Sequence, residues 1–355
     1  MNKRIFLSPP YFGQSERNAV KAAFDSGYVA PCGPQVDEFE RRLALLAHRK
    51  FATAVSSGTA AIDLIMDYYG VDSSWLVIAP TLTFIATVGP AYHRGAKLLF
   101  VDSDPTGNVD IKLLEQALTL NSKLKTRKLV LSVDLYGRPC PYKEIAAICR
   151  RHKAIYISDS AEAVGAKDAG RYGDAAVFSF NGNKIITTSG GGAVLTDNSK
   201  LAAHVRKASQ QSREPRLWYE HKSVGYNYRL SNLLGSLGLA QLDRLPEILA
   251  KRAANKLHYA KSLSILPSVE GENNWLTVAL FPNKKAANCI IEALAAANIE
   301  SRPVWKPMHL QPVFKGVKCV GGKVAEDLFN RGVCLPSGSG LTSKDRKRID
   351  EILKI

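Results

Sequence analysis

The middle of the chain alternates short apolar runs with segments whose apolar positions recur at helical spacing. The runs at 75–79, 97–101, 128–133, 154–158, 175–180 and 192–196 predict strands. The segments at 60–69, 111–118 and 142–152 predict helices between them. Strands separated by helices call for right-handed crossovers, so the pattern predicts an α/β unit with a mostly parallel sheet. Next, 233–261 reads as a long helical stretch interrupted near Pro246. The rhythm then changes: a strand at 275–281, a helix at 284–297, a strand near 299–304 and a closing helix at 343–354. That change predicts a large unit over residues 1–240 and a smaller α+β unit over 241–355. No internal repeat or low-complexity linker is visible.

Composition adds little to this picture, and charge adds more. The chain has 355 residues, 46% hydrophobic and 23% charged, as expected of a soluble globular protein with a sizeable core. Its 48 Lys and Arg against 32 Asp and Glu give a formal charge of +16. That balance suits an anionic ligand such as a nucleotide diphosphate or a phosphorylated cofactor. The basic clusters at 123–128 and 344–348 lack the interleaved aromatics of a base-stacking surface, so they read as solvated faces and no nucleic-acid partner is expected. No stretch approaches the roughly 18 apolar residues of a membrane span, and the N-terminal residues lack a signal-peptide pattern. A cytoplasmic protein is expected. The six cysteines include no Cys-x-x-Cys pair and no histidines at metal spacing, so no metal site is expected.

Three short segments carry candidate chemistry. Ser56-Ser57-Gly58-Thr59-Ala60 follows an apolar run and opens a helix. Such a start aims free N–H groups and the positive helix end at an anion, although simple capping by Ser or Thr explains it as well. Asp159 closes the run at 154–158, where parallel sheets bind ligands. It could pair with the nitrogen of a protonated pyridine ring, or merely cap a helix. Lys184 lies 25 residues further on, in a polar turn between a strand and Gly190-Gly191-Gly192. A lysine so placed can project its amine into a cleft and form a Schiff base, or it can be an ordinary surface lysine.

Taken in this order, the three segments follow the sequence of pyridoxal-phosphate (PLP) enzymes with the aspartate-aminotransferase fold, fold type I. The segments SSGTAAI, PTLTFIAT, SDSAEAVGA, FSFNGNKIITTSGGG, GYNYRLSNLLGSLGLAQL and SRPVWKPMH, among others spread over the chain, resemble the DegT/DnrJ/EryC1/StrS family of sugar aminotransferases. The resemblance implies Lys184 as the Schiff-base lysine and Asp159 as the partner of the ring nitrogen. It implies Phe84 stacked on the cofactor and Ser57, Gly58, Thr59 and Ser179 around its phosphate. It places Asn227 at the phosphate of a neighbouring subunit's cofactor, hence a homodimer with shared sites. It also places Arg229, His309 and Lys306 toward a sugar nucleotide.

Three departures stand out. Glu162 occupies the position near the cofactor's 3-oxygen where the family usually has Gln or His. Ser158 replaces a common Glu, and Ser189-Gly190-Gly191-Gly192 replaces a frequent Gly-Glu-Gly-Gly. A glutamate facing an oxyanion is awkward unless one of the two is protonated. NGNKIITTSGGG and GYNYRLSN most resemble the aminotransferases of diacetylbacillosamine synthesis. The implied reaction is amination at C4 of UDP-2-acetamido-2,6-dideoxy-hexos-4-ulose, with L-glutamate as donor. GDP- or dTDP-linked keto-sugars are the alternatives within the family. A non-enzymatic PLP-dependent regulator would call for a DNA-binding extension, and the sequence displays none.

Overall fold

The computed structural model describes residues 3–122 and 125–355. Lys123, part of the basic run at 123–128, lies outside the described residues. Among the described residues, the strands of the larger sheet are β1 (Phe51–Val55), β2 (Leu76–Pro80), β3 (Lys97–Val101), β4 (Lys128–Val133), β5 (Ile155–Asp159), β6 (Ala175–Ser179) and β7 (Gly192–Thr196). A smaller sheet contains β8 (Thr277–Leu280) and β9 (Arg302–Pro303); β10 (Cys319–Val320) joins the large sheet and β11 (Gly332–Leu335) the small one. The helices are α1 (Gln14–Asp25), α2 (Pro34–Leu46), α3 (Gly58–Tyr69), α4 (Ile85–His93), α5 (Ile111–Leu120), α6 (Tyr142–Arg151), α7 (Ser199–Ala208), α8 (Asn232–Asp243), α9 (Leu245–Ala260), α10 (Lys284–Ala296), α11 (Lys323–Arg331) and α12 (Ser343–Leu353).

The large sheet runs β1-β7-β6-β5-β4-β2-β3-β10. From β6 through β10 every pairing is parallel, and helices cover both faces. Strands β2, β4, β6 and β7 are buried at every position, the continuous apolar pattern that such coverage demands. The exception is β7, antiparallel to both β6 and β1. A parallel return needs a crossover that carries the chain along the whole strand, usually a helix. Between β6 and β7 there is only the turn bearing Lys184, so the chain comes straight back. The turn that displays the lysine is thus also the reason the sheet is not wholly parallel.

The small sheet, β8-β11-β9, is antiparallel. It has its own apolar core, in which Ile5, Tyr259, Leu294, Ile299, Leu335 and Ile349 meet. The stretch at 233–261 is indeed two helices, α8 and α9, hinged at Arg244. Pro246 sits in the first turn of α9, where its missing N–H has no helical partner to lose. We propose that the two sheets mark two units dividing near residue 240. Two short pieces cross that line: Ile5 bridges to Ile299, and β10 extends the large sheet beside β3. Among the described residues, no helix is long and apolar enough to cross a membrane, and no group of His, Cys, Asp or Glu is arranged to hold a metal.

Candidate active site

A cleft of about 1000 Å³ opens where the C-terminal ends of β4, β5 and β6 meet the start of α3 and the edge of the small sheet. Crevices beyond the carboxyl ends of parallel strands are where α/β proteins bind ligands. Ser57, Gly58, Thr59, Phe84, Asp159, Glu162, Ser179, Lys184 and Lys306 all line it. Residues from five separate stretches of sequence are therefore gathered around one space.

The helix start behaves as both readings of its sequence require. Ser57 caps α3, its hydroxyl accepting from Ala60 N–H at 3.0 Å. Gly58 and Thr59, also in the first turn, have N–H groups that no carbonyl of the helix can accept, so they are available to an anion. Ser179 lies against Gly58, where a Cβ on the glycine would come within 3.2 Å of the serine Cβ. On the other side, a Cβ at Gly192 would sit 2.5 Å from Gly58 N. The sequence suggests that the glycines at 190–192 admit a ligand. Gly190 and Gly191 do line the cleft, whereas Gly192 makes room for the backbone of α3 itself.

Asp159 ends β5 with its carboxylate turned into the cleft. Thr87 Oγ1 donates to Oδ2 at 2.7 Å and Ala161 N–H to Oδ1 at 3.1 Å. Burial raises its pKa, while these two donors and the Lys184 charge pull the other way. Thr87 is in turn bonded to Thr83 at 2.8 Å, both on the segment that carries Phe84. Neither threonine was singled out by sequence. The only signal is their i, i+4 spacing, which is common in helices.

Lys184 Nζ reaches to 3.4 Å from Glu162 Oε1. Glu162 is buried, and Oε2 accepts Tyr136 N–H at 2.7 Å. Burial pushes the Glu162 carboxyl up to about 7, against the pull of Lys184 and of the Tyr136 N–H. Tyr136 donates from a left-handed conformation, φ 56°, in the turn after β4. Non-glycine residues hold that conformation at a cost, and such outliers cluster at working sites.

The outer wall is aromatic. Phe84 is half-exposed, its ring centroid 5.4 Å from that of Trp305, next to Lys306. Three expected site residues do not reach this cleft. Arg229 is buried against Glu40, 2.8 Å away, and donates to the Ala54 carbonyl at 3.2 Å. It fastens α2 to β1 and does not line its own chain's cleft. His309 shares a hydrogen bond of 2.6 Å with Thr81 Oγ1 through Nδ1 and one of 3.0 Å with Glu326 through Nε2. Both ring nitrogens are thus engaged in tying the end of β2 to α11, and His309 does not line its own chain's cleft. Asn227 lies outside its own chain's cleft, bridged to Gln210 beyond an exposed stretch bearing Leu217, Trp218 and Tyr219.

A helix start with free N–H groups, a strand-end carboxylate and a lysine gather around one cleft of an α/β sheet, the arrangement expected of a PLP-dependent enzyme. The chain belongs to the DegT/DnrJ/EryC1/StrS aminotransferase family, whose sequence profile matches residues 10–354. It is 40% identical to EpsN of Bacillus subtilis, named as a pyridoxal phosphate-dependent aminotransferase, with 99% of this chain and 96% of EpsN covered. It is 36% identical to GDP-perosamine synthase of Caulobacter vibrioides, covering 98% and 96% of the two chains. The PLP form of the sugar aminotransferase Spr1654 of Streptococcus pneumoniae superposes with a TM-score of 0.88 at 26% identity, covering 100% of this chain and 97% of that one. The protein is therefore a PLP-dependent sugar aminotransferase with the fold-type-I architecture.

Proposed function

We propose that the cleft carries PLP on Lys184 and moves an amine from L-glutamate to C4 of a nucleotide-linked 4-keto-6-deoxy sugar for bacterial glycan synthesis. The observation that carries this reading is the convergence of Lys184, Asp159 and the start of α3 on one cleft. The residues present fit the cofactor. Ser57, Gly58, Thr59 and Ser179 would hold its phosphate, Asp159 its ring nitrogen, Phe84 its ring face and Glu162 its 3-oxygen. When bound, the cofactor supplies an electron sink for the carbanion formed next to the migrating nitrogen.

The remaining work falls to the chain's own groups. Lys184, once displaced by the donor amine, carries a proton between the donor's α-carbon and C4′ of the cofactor as general base and acid. Asp159 holds a proton on the ring nitrogen, and the Thr87 hydroxyl and Ala161 N–H keep its charged form available despite burial. Glu162, raised to about 7, carries a proton in a substantial fraction of molecules near neutral pH. It can then donate to the 3-oxygen, which removes the like-charge conflict that a glutamate there would otherwise create. Phe84, Trp305 and Trp275 wall off water.

For the acceptor we favour UDP-2-acetamido-2,6-dideoxy-hexos-4-ulose, supported by NGNKIITTSGGG and GYNYRLSN. A GDP-linked keto-sugar is a second reading, favoured by the 36% identity to GDP-perosamine synthase. Purified protein given L-glutamate and a panel of UDP-, GDP- and dTDP-linked 4-keto-sugars decides by kcat/KM, with products identified by mass and NMR. Preference for a GDP or dTDP sugar overturns the UDP reading, and no amination of any sugar nucleotide overturns the acceptor class. The active unit in this proposal is a homodimer in which Asn227 serves the partner's cofactor. Mixing Lys184→Ala with an Asn227 variant should restore activity by leaving one site intact. No recovery after proven subunit exchange counts against sharing.

A further inference from the structure

Lys184 is held on two sides by a single residue. Trp275, buried just before β8, lines the cleft with its ring. Its indole Nε1–H donates to the carbonyl of Asn183, the residue before Lys184, at 2.7 Å. Its face lies against Lys184 Nζ, 4.2 Å from the ring centroid. Trp275 itself is fixed at both ends: its N–H donates to Asn273 Oδ1 at 3.0 Å, and its carbonyl accepts from Arg252 at 2.7 Å. Asn273 also donates to the Glu162 carbonyl at 2.8 Å. The frame that sets the indole therefore sets the amine's carboxylate neighbour as well.

The reaction makes such a seat useful. A displaced lysine has a flexible four-carbon stem and a strongly hydrated head, and it must find one atom again in every turnover. A carboxylate would hold the ammonium but could also accept its proton. An indole face attracts the cation and has no site for the proton. We propose that Trp275 is a positioning residue that seats the Lys184 amine whenever it is free of the cofactor. Its ring face holds the ammonium, and its N–H fixes the point from which the stem swings. This inference rests on Lys184 being the cofactor-bearing lysine.

The other groups facing this amine are few. Glu162 approaches to 3.4 Å from beyond β5, and Asp159 lies at that strand's end. Tyr136 meets Trp275 from the turn after β4, the ring centroids 6.2 Å apart and the planes tilted by 37°, and Cys334 of β11 lines the same cleft. Arg252 stands behind, donating to Ser8 Oγ at 3.1 Å, and Ser8 in turn donates to the Asn183 carbonyl at 2.8 Å.

Cofactor capture by the cofactor-free full chain tests the seat without turnover. In that step the neutral amine adds to the aldehyde carbon of pyridoxal 5′-phosphate and a C=N bond forms. The aldehyde oxygen leaves as water, and the proton shed beforehand by the ammonium goes to solvent. The capture rate, followed by absorbance, therefore climbs with pH as the amine loses its proton. Tryptophans bearing one to four ring fluorines, placed at position 275, keep the shape and the N–H but drain the ring's negative face. Each added fluorine should slide the pH profile toward lower pH, by about half a unit in all. Trp275→Phe, which keeps a face and loses the N–H, should leave the profile near that of the parent protein. A profile indifferent to fluorination, or one that moves fully in Trp275→Phe, overturns the inference. Borohydride reduction and peptide mapping separate the two failures. A label away from Lys184 removes the underlying reading, whereas a label on Lys184 without a fluorine trend removes only Trp275.

Discussion

The floor of the cleft and its rim are built on different principles. On the floor, Asp159, Glu162 and Lys184 are buried or nearly so, and each meets at least one fixed partner from another element. On the rim, Arg302 is exposed and pairs with Glu300 two residues away, at 3.0 Å. Lys306 shares that edge of the cleft. A buried group without its partner is costly, so the floor tolerates one arrangement. An exposed ion pair contributes little and can be exchanged for a ligand's anion. The groups proposed for the chemistry thus sit where the fold fixes their partners. Those proposed for recognition sit where it does not.

The largest test of this contrast is on the floor. Lys184→Ala should abolish turnover and leave the fold intact by circular dichroism, since it removes both the cofactor's attachment and the proton carrier. Retained turnover would take Lys184 out of the mechanism. Asp159→Asn should follow, with a loss of at least about 100-fold in kcat, the scale of a positioned acid–base group. A near-normal rate in that variant would mean the ring nitrogen is held elsewhere.

The rim should respond more gently. Arg302→Ala and Lys306→Ala should each lower kcat/KM for the sugar nucleotide about tenfold, mostly through KM, as expected for one charge-assisted hydrogen bond. A loss in kcat as severe as that of Asp159→Asn would erase the distinction between floor and rim. The smallest effect is one of stability. The Glu162 carboxyl is raised in the folded chain, so folding favours its protonated form. Its contribution is present below the ordinary carboxylate range and is lost as pH rises through about 7. In the cofactor-free chain, Glu162→Gln should therefore gain thermal stability relative to the parent between about pH 4.5 and 7. Parallel melting curves across that range would show that Glu162 is ionised throughout.

Much of the floor was legible because its signals are local. Apolar runs located β2 to β7 to within a residue or two, and the strand ends then located Asp159 and the Lys184 turn. The antiparallel return of β7 follows from the same turn, but only once the absence of a crossover helix is weighed. Arg229 shows where this reasoning stops. Its partner Glu40 is 189 residues away in sequence, and nothing near GYNYRLSN signals a buried counter-ion. The contacts of His309 were hidden for the same reason, since Thr81 and Glu326 meet it only through the fold. Trp275 read simply as the start of a strand. Its part in the site depends on which face of the ring a distant lysine meets.

The pairing of Ile5 with Ile299 has a consequence for how the protein is made. Leu7 N–H donates to Glu300 at 3.1 Å, Ser337 N–H donates to the Leu7 carbonyl at 2.8 Å, and Ser8 seals the Asn183 turn. The residues that form this wall of the cleft leave the ribosome well before the residues they pair with. Their partners are spread from 183 to 337 and emerge much later. Domains tend to fold as they are synthesised, N-terminal parts first, yet this segment must wait. The cleft closes only after residue 337 has been made, so a truncated chain ending before residue 299 would carry Lys184 and Asp159 with one side of their pocket missing.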